Sequence, residues 1–240
     1  MDRSEEVDAK LSASKMEAAS LCPAYFQAND LFSWKGERDS ASEGTIRHDH
    51  EENQTPLDEI DDDERRKCAY RCREALSEIR EKVSSTTGCE GELAEREIRL
   101  WYGESWSGQL DYVERFGVDV LVADYKTLHG SHTPAPTNIQ LLAQAVLMKE
   151  NYPKTNNVYA CLIEPFNDPT YTTVMYSSEY LLEKAKWLKE VVTKSYAKNP
   201  ERVFGSKQCK WCSALYVCPE ARKSLVSCLN KTRRMYGLDE

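Results

Sequence analysis

The apolar positions of this chain fall into helix-like and strand-like stretches separated by long polar segments. Cys68, Cys72, Ala75, Leu76, Ile79 and Val83 recur at three- and four-residue spacing, which predicts an amphipathic helix over residues 64–84. Strand texture follows. Residues 98–102, 108–116 and 118–125 are rich in β-branched and aromatic side chains and punctuated by glycine. Further on, 138–150 predicts a helix, 157–164 and 171–176 predict strands, and 178–196 predicts a long helix. Near the start, Ser14-Lys15-Met16-Glu17 has the S-x-x-E form of a capping box, so a helix is expected from about Lys15 to Asn29 with Cys22 on it. Residues 1–11 read as a loose acidic lead, 33–63 as a polar loop region and 205–240 as a cysteine-rich basic tail. The succession implies a single α/β domain over 1–240, with a mixed central sheet flanked by helices.

Composition narrows the function classes. The chain has 240 residues, 40% hydrophobic and 30% charged, with no apolar run of the length that crosses a bilayer. Its first residues are acidic and carry no apolar signal stretch, so a cytoplasmic location, with no membrane partner, is expected. The net charge of −8 argues against nucleic acid at first sight. However, residues 49–64 alone hold nine acidic side chains and no Lys or Arg, while the tail from 201 onward has eight Lys/Arg against four acids. Phosphate contact needs a local basic surface, not a basic whole.

The chemistry concentrates on two strands. If the chain reverses at Gly117-Val118, antiparallel pairing joins residues whose numbers sum to 235 and sets Asp111 opposite Asp124. Cross-strand Cβ atoms then lie about 5 Å apart. Alternation brings Lys126 to the same face as Asp124. Two carboxylates and a lysine suit phosphodiester hydrolysis. The acids can hold Mg²⁺ or Mn²⁺, hard cations that polarise a phosphoryl group, and the lysine can position the attacking water and stabilise developing charge. Facing carboxylates without a cation would repel one another. A D-x-K triplet alone is weak, since about one is expected by chance in such a chain. Glu97 could add a metal-facing carboxylate, although Glu95 shares its strand face and an exposed edge would account for both. His50, His129 and His132 show no pattern beyond solvent exposure.

Asp111, Asp124 and Lys126, the last two in D-Y-K-T, resemble the core of the PD-(D/E)XK nuclease superfamily in its RecB-like branch. Gly44-Thr-Ile-Arg-His48 matches the upstream G-x-x-x-H pattern, whose histidine assists metal binding in that family. Gln140 matches the glutamine on the helix after the D-x-K strand, where it would orient substrate or the lysine. The family pattern is Q-x-x-x-Y, and here Gln144 replaces the tyrosine, which leaves its role open.

Nine cysteines in a reducing compartment read as metal ligands before disulfides. Cys209, Cys212 and Cys218 form C-x-x-C-x5-C, fit for zinc or an iron–sulfur cluster. Cys22 and Cys228 are both available as a fourth ligand. The arrangement of Cys22-Pro-Ala-Tyr-Phe26 before the core and Cys218-Pro219 after it resembles iron–sulfur RecB-like nucleases, which include the CRISPR-associated exonucleases, the AddB nuclease domain and related phage enzymes. The resemblance implies Cys22 as the fourth ligand of a [4Fe-4S] cluster that clasps the N- and C-terminal segments. It further implies a Mg- or Mn-dependent deoxyribonuclease, exonuclease in preference to endonuclease, acting on single-stranded DNA or DNA ends. A helicase, recombination or CRISPR-adaptation protein would be its partner. The alternative is a non-catalytic iron–sulfur or zinc DNA-binding or assembly subunit, against which the intact Asp111/Asp124/Lys126 set counts. Trp211 and Tyr216 are expected to shield the cluster or fill core space, ahead of stacking on bases. Cys68, Cys72, Cys89, Cys161 and Cys228 are otherwise read as ordinary buried or surface residues.

Overall fold

The structure, a computed structural model, describes residues 11–32 and 39–235; the rest of the expected lead, loop and tail lies outside the described residues. The helices are α1 (Met16–Leu21), α2 (Tyr25–Leu31), α3 (Asp39–Glu52), α4 (Asp63–Thr87), α5 (Ile139–Asn151), α6 (Ser178–Ser195), α7 (Ser206–Cys209) and α8 (Pro219–Met235). The strands are β1 (Leu11–Ser12), β2 (Glu92–Tyr102), β3 (Trp106–Phe116), β4 (Asp119–Tyr125), β5 (Asn157–Ile163) and β6 (Tyr171–Ser177). They form one sheet in the order β1-β3-β4-β5-β6, with β2 also paired to β3. The β2–β3, β3–β4 and β5–β6 pairs are antiparallel and β4–β5 is parallel, so the sheet is mixed.

The expected hairpin is present. Tyr112 pairs with Ala123 and Phe116 with Asp119, the 235 register, and Gly117 (φ 64) takes the left-handed turn position that a Cβ would penalise. On β4, Leu121, Ala123 and Tyr125 face α4, where Cys68, Cys72, Ala75, Leu76, Ile79 and Val83 close a core with Tyr112, Phe116, Cys161 and Ile163. Asp124, between Ala123 and Tyr125, therefore points to the opposite face, toward α5. Leu141 to Met148 of α5 are all buried, and each fully buried Leu contributes about 1.5–3 kcal/mol. Close approach of α5 depends on Gly108, where an added Cβ would lie 2.7 Å from Leu147 Cδ1. Asn138 caps α5 by accepting from Leu141 N–H at 3.1 Å.

By chain contacts the fold divides into two compact units. A sheet unit comprises residues 12–14 and 36–187, and a cysteine unit comprises 1–11, 15–35 and 188–240.

Two sequence expectations need correction. Residues 39–52 are helical, where a polar loop was expected. Arg47 is 7% exposed and donates to Glu43 (2.7 Å), Glu64 (2.8 Å) and the Thr127 carbonyl (2.8 Å), so ion pairs replace the apolar stripe that would have announced α3. The helix expected over 15–29 is two helices broken at Cys22-Pro23. Cys22 is extended (φ −143, ψ 98), because the residue before proline disfavours helical backbone. The capping box is not formed: Lys15 occupies the cap position without a side-chain bond, and the Ser14 hydroxyl pairs with that of Ser12 at 2.9 Å.

Candidate active site

Antiparallel pairing of β2, β3 and β4 builds the floor of a pocket of about 460 Å³ in the sheet unit. Asp111 on β3 lies next in register to the Tyr112–Ala123 pair, and therefore beside Asp124 on β4. On its other side, Glu97 of β2 falls between the Arg96–Tyr112 and Ile98–Leu110 pairs, opposite Asp111. His48 reaches the same place from α3, with Nδ1 3.7 Å from Asp111 Oδ2 and 4.0 Å from Glu97 Oε1. Ligand atoms of His48, Glu97 and Asp111 all lie within 4.8 Å of one another, the one such group among the described residues. An imidazole nitrogen and carboxylate oxygens are a donor set suited to a divalent cation such as Mg²⁺ or Mn²⁺.

Electrostatics fit that occupant. Burial pushes the Asp111 carboxyl up to about 7, and the negative charge of Asp124 adds to the shift. Burial disfavours the charged form of His48 as well, but Glu97, Asp111 and Asp124 outweigh it and raise its pKa overall. Such a cluster holds more negative charge than its protein partners neutralise, which is the condition a bound cation relieves. Asp111 Oδ2 also accepts from Tyr125 N–H at 2.8 Å, which fixes the carboxylate against the hairpin. Glu97 takes a left-handed backbone (φ 50) in mid-strand, a conformation costing a non-glycine residue about 1–3 kcal/mol. Gln109 donates to its Oε2 at 2.5 Å and holds it there.

Asp124, 2% exposed, is committed to protein partners. Its Oδ1 accepts from Gln140 Nε2 (2.5 Å) and Gln144 Nε2 (3.2 Å). Lys126 Nζ lies 2.5 Å from Oδ2, off the axis of a hydrogen bond, so that buried oxygen has an ion-pair partner and no aligned donor. Lys126 also donates to Gln140 Oε1 at 3.3 Å. Burial alone would lower the lysine's pKa, but Asp124 and Asp111 more than reverse this and keep it protonated. Asp111, Asp124, Lys126, Gln140 and His48 thus line one pocket with Glu97, and it is Glu97, not Asp124, that falls into the His48–Asp111 ligand group. Gln144, whose role the sequence leaves open, stands one helical turn from Gln140 and is fully buried. It also donates to the Gln109 carbonyl at 3.0 Å. The i, i+4 spacing of the two glutamines was the available signal.

The cysteine unit gathers Cys22, Cys209, Cys212 and Cys218. Cys22 Sγ accepts from Val203 N–H at 3.4 Å and Cys209 Sγ from Gly205 N–H at 3.5 Å. Burial raises the Cys212 thiol's pKa, and Cys209, Cys22 and Cys218 lie near enough to add to it. Cys68, Cys72 and Cys161 are buried in the sheet unit, Cys89 is half-buried and Cys228 is exposed on α8. Trp211 and Tyr216 do not fill core space: they are 67% and 86% exposed. The segment from Cys209 to Cys218 is a succession of tight turns, and Ala214, fully buried, is what it turns inward. His50 bonds Thr55 at 3.3 Å, His129 stacks on Phe166 at 4.0 Å and His132 pairs with Glu164 at 2.9 Å, so each has a local partner.

The family model of the PD-(D/E)XK nuclease superfamily matches residues 10–219, and the chain belongs to that superfamily, whose members use divalent metals. Among solved structures, a candidate exonuclease from Eubacterium rectale is similar at 13% identity, covering 86% of this chain and 89% of that one, with a TM-score of 0.49. The protein designated SSO0001 is similar at 13% identity, over 88% and 87% of the two chains, with a TM-score of 0.43. Neither likeness carries more than that. No curated protein sequence matches. Among the described residues, no helix is long and apolar enough to cross a membrane.

Proposed function

We propose that the chain is a metal-dependent deoxyribonuclease that hydrolyses phosphodiester bonds of single-stranded DNA or DNA ends, exonucleolytically in preference to endonucleolytically. The convergence of His48, Glu97 and Asp111 beside the Asp124–Lys126 pair carries this reading. His48, Glu97 and Asp111 would hold Mg²⁺ or Mn²⁺, with Asp124 adding charge alongside. Such an ion supplies Lewis acidity at the phosphoryl group. Lys126, protonated and anchored on Asp124, presents positive charge where phosphoryl oxygens gain negative charge in the transition state and can orient the attacking water. Gln140 bridges Lys126 and Asp124, and so fixes both with one side chain. Gln144 secures Asp124 from below with a second amide.

The cysteine unit is the seat of a structural iron–sulfur cluster of the RecB-like type, ligated by Cys22, Cys209, Cys212 and Cys218. The placement of Cys22 before the core and of Cys209, Cys212 and Cys218 after it supports this reading. Backbone N–H groups aimed at Cys22 and Cys209 are the kind of donor that stabilises cluster thiolates.

Cleavage of linear and circular single-stranded DNA with Mn²⁺ or Mg²⁺, using anaerobically purified protein beside Lys126→Ala, tests the reading. Activity lost in the variant places catalysis on the β3–β4 hairpin, and digestion of linear but not circular substrate identifies an exonuclease. Wild-type protein that is folded and brown yet inert on both would transfer the lead to a non-catalytic DNA-binding subunit.

A further inference from the structure

The pocket that would receive a polyanion is itself strongly acidic. Asp49, Glu52, Glu97, Asp111 and Asp124 all line it, and besides His48 its only cationic side chains among the described residues are Lys126 and Arg99. Lys126 is already paired with Asp124 and assigned to the reacting phosphate. Arg99 is not spent. Its guanidinium donates through Nη1 to Ser107 Oγ (3.2 Å) and through Nη2 to Gln109 Oε1 (2.9 Å), both neutral oxygens, and it makes no ion pair among the described residues. Of five N–H donors, three remain for a ligand. The two bonds fix a planar fork of the shape that takes a phosphate bidentately.

Position reinforces chemistry. Arg99 and Gln109 are cross-strand partners on β2 and β3, two residues along from Glu97 and Asp111 on the same strands. Two strand residues span about 6.8 Å, on the order of one nucleotide step in an extended single strand. Gln109 connects the two positions. It accepts from Arg99 through Oε1 and donates to Glu97 through Nε2 at 2.5 Å. A phosphate drawn to Arg99 is therefore registered against a residue of the proposed metal group.

We infer that Arg99 is a substrate-binding residue that grips the phosphate next to the scissile one and so sets the position of the DNA strand over His48, Glu97 and Asp111. This rests on the nuclease reading above and names how that site recognises its polymer. A contact to a non-reacting phosphate is made equally in ground and transition states, so it belongs in KM and not in kcat.

The test is steady-state cleavage of a linear single-stranded oligonucleotide with Mn²⁺ across a salt series, comparing wild type, Arg99→Ala and Arg99→Lys. Loss of a charge-assisted contact should raise KM about tenfold or more with kcat within about twofold. The slope of log affinity against log salt should become shallower by about 0.7, the single-strand value for one phosphate. Lysine should restore the slope but only part of the affinity, since it keeps the charge without the fork. Unchanged KM and slope in Arg99→Ala overturn the assignment, as does a fall confined to kcat. Mn²⁺ binding equal to wild type shows the variant folded; if alanine fails there, Arg99→Gln takes its place. Should wild type prove inert, the nuclease reading fails separately. The same comparison then runs on oligonucleotide affinity by fluorescence anisotropy, where equal affinities sink the Arg99 assignment and a tenfold loss sustains it.

Discussion

In the sheet unit Asp124 is 2% exposed and meets Lys126, Gln140 and Gln144, whereas in the cysteine unit Cys209, Cys212 and Cys218 sit half-buried on tight turns. The first region is organised by long strands and a buried helix, and its polar groups are placed by protein partners before any ligand arrives. The second buries a smaller set of apolar side chains, among them Met16, Phe26, Leu188 and Val192, and is tied by contacts such as Gln27 Nε2 to the Ser195 carbonyl (2.9 Å) and Ala24 N–H to the Glu201 carbonyl (2.9 Å). The turns between its late cysteines expose Trp211, Tyr216 and Val217. One site is preorganised, and on the reading proposed above a divalent metal would complete it. On the same reading, the turns that carry Cys209, Cys212 and Cys218 would take their order from an iron–sulfur cluster.

The largest effect should come from the preorganised side. Lys126→Ala removes the one cation paired with Asp124 among the described residues and should lower single-turnover DNA cleavage about 10²–10³-fold. Circular dichroism should remain near wild type, because the lysine side chain is still a quarter exposed and carries no core packing. A variant that keeps full activity would remove catalysis from the hairpin. Next, Cys212→Ser should abolish the visible absorbance of the anaerobic protein and open the segment around 203–218 to protease. The sheet unit, closed by the α4 and α5 cores, should resist the same digestion. Equal protection of both regions in the serine variant would show that the cysteine unit holds itself together unaided, and the contrast would collapse.

The contrast also explains what could be read in advance. The hairpin was legible because alternation is rigid: once Gly117-Val118 is the turn, Asp111 must meet Asp124 and Lys126 must follow on the same face. α4 and α5 were legible from their apolar positions. α3 was not, because its sequence DSASEGTIRHDHEE is polar on all sides and its anchor, the Arg47 guanidinium, binds partners 4, 17 and 80 residues away. Glu97 could not be separated from Glu95 by periodicity. β2 shifts register between Glu92 and Glu95, and Glu97 itself is left-handed, so strict alternation fails where the site needs it. The stretch from Cys209 to Cys218 was legible as a cysteine pattern and opaque as a structure, since turns that bury only Ala214 leave no hydrophobic signature.

A smaller effect tests how finely the first site is placed. Gln144→Leu keeps the volume of a fully buried side chain but removes both of its bonds, to Asp124 Oδ1 and to the Gln109 carbonyl. Loss of a hydrogen bond to a charged group is worth about 1.5–3 kcal/mol, so cleavage should fall about tenfold or more while the protein stays folded. Activity unchanged from wild type would mean that Gln140 and Lys126 suffice to hold Asp124.

The smallest effect concerns the ion pairs that stand in for a core under α3. Arg65 and Arg47, by hydrogen bonds, hold the Glu43 carboxyl down to about 2, below the ordinary carboxylate value of 4.5. Its folded pKa is thus the depressed one, so its contribution is complete above about 4.5 and is lost as pH falls toward 2. The carboxylate is 28% exposed, and solvent screening keeps the contribution modest. Denaturant titrations should show Glu43→Gln less stable than wild type at pH 7, the difference shrinking to nothing near pH 2. Because Arg47 also holds the Thr127 carbonyl, next to Lys126, the same substitution should loosen the backbone beside the lysine. Faster amide exchange around 126–128 at pH 7, without a matching change at α5, would show that α3 is tied to the reactive hairpin through this arginine. A pH-independent difference in stability would place the role of Glu43 in packing and leave the ion pair without effect.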